Sequence, residues 1–205
     1  MRYLCIDPAW SGGTPPDHLV TRTIYGGARW AVKPDQWSIC GHYLELGLNL
    51  ALVIDSDSGD PSQYADWFTS DWMKSRVAWF VGNEPDGDGP SSWIMDPDTY
   101  DVLWQESSCL HGARWVAGMC SGDPARAKPY LQIGAAGLAI HLYTLSPTEA
   151  ALKIADYRTL HRRLWVGETH PASGYRMADY TWPSTVNIND FAYSEAMVPG
   201  MGLWA

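Results

Sequence analysis

The chain has 205 residues, of which 46% are apolar and 18% charged: enough to bury one sizeable core, and too apolar for a disordered segment. Its formal net charge of -9 argues against nucleic acid as a partner, because a phosphate backbone is held by a basic face that releases counterions. No apolar run approaches the roughly 20 residues needed to cross a bilayer, and the start, MRYLCID, has no basic-then-apolar leader, so cytoplasmic synthesis without a signal peptide is expected.

Four cysteines, Cys5, Cys40, Cys109 and Cys120, are scattered without C-x-x-C spacing and read as buried reduced thiols. Twelve tryptophans are several times ordinary usage. Trp67, Trp72, Trp79 and Trp104 are expected to fill a large core, leaving a minority to line a cleft.

In chain order, residues 3–6 form a short β-prone run closed by Asp7-Pro8, and the following stretch has room for two helical turns at most. Residues 26–32 (GGARWAV) read as a second strand. A helical pattern opened by Pro34-Asp35 then carries Trp37, Cys40, Tyr43 and Leu44. Residues 48–54 (LNLALVI) form a wholly apolar third strand, the kind buried on both faces of a parallel sheet. The loop DSDSGD after it only superficially resembles a calcium loop, since its glycine falls one position early and the twelfth position lacks glutamate. Asp55 there is better read as a turn residue or a contact to sugar hydroxyls.

A helix is expected over 63–74, and a fourth strand over 76–82 that runs into Asn83-Glu84-Pro85. Pro97 starts a helix with the apolar stripe Tyr100, Leu103, Trp104, Ser107 and Leu110. Residues 113–119 (ARWVAGM) and 137–143 (GLAIHLY) read as strands five and six, joined by an irregular connection. The clearest helix spans 147–162, capped by Ser146, with the stripe Ala150, Ile154, Tyr157 and His161. The seventh strand, 164–167, ends at Glu168. A long loop, a helix at 189–197 and a terminal strand in GMGLWA complete the pattern.

Eight strands alternating with crossovers, about 26 residues per unit, point to a single α/β domain over 1–205: a compact (β/α)8 barrel with some crossover helices shortened or missing. Glu84 and Glu168 then lie at the C-terminal tips of strands four and seven, facing each other across the mouth. Two carboxylates across a cleft are the minimum equipment for cleaving a glycosidic bond. One protonates the departing oxygen, and the other attacks the sugar carbon or activates water, with retention or inversion set by their separation. No G-x-G-x-x-G, Walker, H-E-x-x-H or G-x-S-x-G motif occurs, so neither cofactor nor metal is expected.

Asn83-Glu84-Pro85 ending a fourth strand, with Glu168 ending a seventh, resembles the glycoside hydrolase clan A superfamily of retaining (β/α)8 enzymes. The resemblance implies a hydrolase of β-linked oligo- or polysaccharides in which Glu84 is the acid/base and Glu168 the nucleophile. It further implies that Arg29 pairs with the nucleophile, that His141 and Tyr143 form the H-x-Y element of strand six, and that Trp204 floors the sugar subsite nearest the cleavage point. Asn83 would bond the sugar 2-hydroxyl. The roles cohere physically: Arg29 and a Tyr143 hydrogen bond would keep Glu168 ionised, and the charge on Glu168 would favour the protonated form of Glu84.

The chain departs from that pattern in its abbreviated first crossover, irregular fifth crossover and lack of an eighth helix after Trp204. A second copy covering the open side is one way to close such a barrel. A carbohydrate-binding barrel that has lost turnover is the alternative, and a barrel enzyme using the carboxylates for proton transfer is a third reading. Without a leader, a polymer outside the cell would be met after lysis or non-classical export.

Overall fold

A computed structural model describes residues 2–6, 27–31, 40–41, 44–45, 49–54, 58–87, 94–175, 179–181, 183 and 186–190, with the backbone alone described at 2–6, 27–31, 117, 168–171 and 187–190. The fold is a mixed α/β arrangement around a parallel sheet. Its strands are β1 (Arg2–Ile6), β2 (Gly27–Ala31), β3 (Asn49–Ile54), β4 (Val77–Val81), β5 (Ala113–Met119), β6 (Leu138–Leu145), β7 (Leu164–Pro171) and β8 (Val186–Asp190). Each pairs in parallel with the next, and β8 also pairs with β1 through Arg2↔Ile188, Tyr3↔Asn189 and Leu4↔Asp190.

The helices are α1 (Asp71–Lys74), α2 (Pro97–Glu106), α3 (Pro124–Ala127) and α4 (Pro147–Arg158). Each starts at a side chain that accepts from the first turn: Ser70, Asp96, Asp123 and Ser146. The Ser146 cap is a full capping box, with Glu149 reaching back to the Ser146 backbone N–H at 2.8 Å. These bonds hold the Glu149 carboxyl below its ordinary pKa. No helix among the described residues is long and apolar enough to cross a membrane.

Strand alternation sorts the side chains into two layers. One face, with Leu50, Leu52, Val77, Trp79, Val81, Leu138, Ile140 and Leu164, packs against Tyr100, Leu103 and Trp104 of α2 and Ala150, Ile154 and Tyr157 of α4. The opposite face carries a smaller cluster of Ala51, Val53, Phe80, Trp115, Ala139 and Trp165. Trp165 meets Phe80 at 5.0 Å and Trp115 at 5.2 Å between ring centroids, both edge to face. Such pairs are worth about 0.5–1.5 kcal/mol beyond their buried area. Phe80 is on β4 and Trp165 on β7, so this contact ties together the two strands that carry Glu84 and Glu168.

Several expectations are corrected. The helix expected at 63–74 is a 3-10 turn, Pro61–Tyr64, followed by the single turn α1, with Phe68 between them in the left-handed region at φ 53°. Trp72 therefore leaves the core: it is 48% exposed, with the Arg76 guanidinium stacked 5.1 Å from its ring. Trp79 and Trp104 are buried as expected, and Trp67 is partly buried against the same core.

The strand β8 lies at Val186–Asp190, within residues read as loop and helix; the terminal strand expected in GMGLWA falls outside the described residues. Its Asn and Asp content signals a turn, and pairing with both β1 and β7 overrides that local preference. The absence of a helix after strand eight loses its basis, because 191–205 follow this strand. Those residues, the first crossover at 7–26 and Asp55 lie outside the described residues. Cys40, Cys109 and Cys120 are free thiols; Cys40 is buried, which pushes its pKa up to about 12, while Cys109 and Cys120 are only half-buried.

Candidate active site

Beyond the apolar layer of Phe80, Trp115 and Trp165, toward the C-terminal ends of the strands, polar side chains take over. Asn83 is 6% exposed and His141 2%. The Glu84 side chain keeps 20% of its surface open. Buried polar groups of this kind must be hydrogen-bonded to be tolerated.

Glu84 Oε1 is the common partner. His141 Nδ1 lies 2.7 Å from it, and the Tyr143 hydroxyl donates to it at 2.7 Å. The hydroxyl and Nδ1 are themselves 3.0 Å apart, closing a triangle. With the proton on Nδ1, two donors converge on one carboxylate oxygen; with the proton on Glu84, Nδ1 accepts it. The same three atoms thus accommodate both protonation states of Glu84.

The slot that holds His141 is made by two glycines inside strands. A Cβ built on Gly118 of β5 would lie 2.7 Å from His141 Nε2 and 3.3 Å from Asn83 Oδ1, and one on Gly167 of β7 would lie 3.2 Å from Nε2. Sequence reading passed over both, although a glycine within a strand pattern is the usual sign of such close approach.

Backbone conformation is also unusual here. Glu84 adopts φ 51° and Thr144, next to Tyr143, φ 55°. Left-handed backbone at a non-glycine residue costs on the order of 1–3 kcal/mol and persists only where the surroundings dictate it. The Glu84 N–H donates to Gly118 O at 3.0 Å, and its carbonyl accepts from Gly87 N at 3.1 Å. At the other residue, Thr144 Oγ1 donates to the Tyr143 carbonyl at 2.8 Å.

Position 168 enters through register. β6 and β7 pair Ile140↔Val166 and then His141↔Glu168, so the ladder skips Gly167. Continued without the skip, residue 168 would oppose Leu142, which belongs to the helix-facing layer. The bulge sets it opposite His141 instead. The expected site residues Asn83, Glu84, His141 and Tyr143 are thereby brought together, with the backbone of Glu168 beside them. The side chains of Arg29 and Glu168 lie outside the described residues, as does Trp204 altogether.

The Tyr143 hydroxyl donates to Glu84 Oε1. The contact to Glu168 expected from the sequence falls on a side chain outside the described residues.

Cys120, just past β5, is a poor nucleophile: burial, with the charges of Glu84 and Asp86 adding to it, pushes its thiol pKa up to about 12. Among the described residues no group of three His, Cys, Asp or Glu could hold a metal ion. Asp60 of the DSDSGD loop instead caps the 3-10 turn, accepting from Ser62 N at 2.8 Å. The arrangement can hold and release a proton at Glu84 beside His141, whose ladder partner is residue 168. No protein-family model, curated protein or solved structure matches this chain.

Proposed function

We propose that the chain is a single compact (β/α)8 barrel and a retaining glycoside hydrolase that cleaves a β-glycosidic bond of an oligo- or polysaccharide. The parallel order from β1 to β8, with β8 returning to β1, supports the barrel. The observation that carries the function is the Glu84–His141–Tyr143 triangle, with Glu168 in register beside His141.

In this reading Glu84 donates its proton to the departing oxygen while Glu168 attacks the anomeric carbon. A glycosyl ester on Glu168 forms and the alcohol leaves. Glu84, now a carboxylate held by His141 and Tyr143, then takes a proton from water. That water attacks the same carbon, releasing the sugar with its configuration retained and restoring both carboxyl groups. Asn83, buried beside Glu84, is suited to bonding a sugar hydroxyl, and Arg29 and Trp204 complete the subsite in this proposal.

Hydrolysis of a panel of aryl β-glycosides by the wild type, Glu84→Ala and Glu168→Ala tests the assignment. Turnover by the wild type should fall sharply in both variants. Azide should rescue Glu84→Ala as the β-glycosyl azide and Glu168→Ala as the α-anomer. Undiminished rates in either variant reject it; glycan binding with no wild-type turnover on any substrate would instead favour a binding protein.

A further inference from the structure

Among the described residues, Asp86 is the one buried carboxylate near the site with no part in the proposed chemistry. It is 2% exposed, two residues past Glu84. Its Oδ1 accepts from Cys120 N at 2.8 Å; its Oδ2 accepts from the Ser121 hydroxyl at 2.6 Å and more weakly from Ser121 N at 3.4 Å. A carboxylate withdrawn from water is costly, and three donors from one short segment offset that cost.

That segment begins the connection after β5, the crossover that reads from the sequence as an irregular defect. Its residues also reach the rest of the Glu84 turn. The Tyr130 hydroxyl donates to Met95 O at 2.7 Å and sits 3.2 Å from Pro85 O, joining the two ends of the loop that follows Glu84. Arg126 donates to Gly87 O at 3.2 Å. Lys153 of α4 donates to Gly122 O, securing the segment from behind. Every residue from Glu84 to Gly87 is thus bonded to the β5–α3 side, and Asp86 does so with a charged side chain.

We infer that Asp86 is a positioning residue: by clamping the turn after β4 to Cys120 and Ser121, it holds Glu84 in its left-handed conformation with Oε1 on His141 and Tyr143. This rests on the reading of Glu84 as acid/base for its consequence in catalysis, but the geometric claim stands apart from it. Releasing the clamp lets the backbone at Glu84 relax toward ordinary φ, which swings its carboxyl away from His141.

The test compares Asp86→Ala, Asp86→Asn and Ser121→Ala with the wild type and Glu84→Gln. The 1H and 15N resonances of the His141 ring report its bond to Glu84 with no need of a substrate. Asp86→Ala should move them toward their positions in Glu84→Gln, Asp86→Asn should restore them in part, and Ser121→Ala should move them less in the same direction. On aryl β-glycosides, kcat/KM of Asp86→Ala should fall about 10- to 100-fold for poor leaving groups, which need the acid. It should change little for dinitrophenyl leaving groups, whose departure needs no proton.

His141 signals unmoved in folded Asp86→Ala overturn the inference; if that variant does not fold, unmoved signals in both Asp86→Asn and Ser121→Ala do so. A wild type that hydrolyses nothing removes the hydrolase reading, while the ring resonances still decide the role of Asp86.

Discussion

The two strands that carry the glutamates end in different ways. β4 stops at Val81, and its carboxylate is delivered by a turn beyond the strand, with Glu84 at φ 51° and the turn bonded to the β5 side. β7 continues to Pro171, and residue 168 is set within the ladder by the skip at Gly167. A turn leaves its backbone free to be aimed but must be braced from outside; a bulge inside a ladder is braced by its neighbours and needs only room for the displaced residue. Among the described residues, the polar contacts that hold backbone lie at β4, and the room needed at β7 is provided by a glycine.

Removing the carboxylates tests that contrast most severely. Glu84→Gln should lower kcat/KM for poor leaving groups by about 10²- to 10⁴-fold, the usual contribution of a positioned acid. Steady-state kinetics across leaving groups of graded acidity would read it, and a uniform loss across the series would contradict an acid role. Trp165→Ala strikes the contact beneath both ends. Loss of this ring from its packing with Phe80 and Trp115 should cost about 3–5 kcal/mol of stability in denaturant titration.

Glycine substitutions separate the two ends. Gly118→Ala places a methyl group 2.7 Å from His141 Nε2, so the ring must move and kcat should fall about 10- to 100-fold. Gly167→Ala, at 3.2 Å, should displace the ring less. Equal effects would show that the slot is not shaped by β5 in preference to β7. The smallest effect belongs to Ser146→Ala, which removes the cap of α4 and should lower Tm by about 2–4 °C, with less effect on activity than either glycine variant.

Much of this was legible in the sequence because it depends on local pattern. The apolar runs that become β3 and β6, the Pro-initiated helices α2 and α4, and the cap at Ser146 each follow from neighbouring residues. So does the abrupt halt of an apolar strand at Asn83-Glu84. What escaped depends on contacts between distant segments. Val186–Asp190 has the composition of a turn and becomes a strand through two partners. Trp72 has the composition of core and is exposed because the helix meant to bury it breaks at Phe68. Gly118 and Gly167 were visible as oddities within strands, but that they bracket one histidine follows only from the register. Asp86 looks like an ordinary turn residue until its partners at Cys120 and Ser121 are known.

The roles of the two glutamates follow from the same contrast, and a covalent trap reads them directly. A slowly hydrolysed 2-deoxy-2-fluoro β-glycoside with a dinitrophenyl leaving group should accumulate the glycosyl ester, located by mass spectrometry of proteolytic peptides. The account predicts the label on Glu168, within the peptide that contains LWVGETH. A label on Glu84 would reverse the assignment.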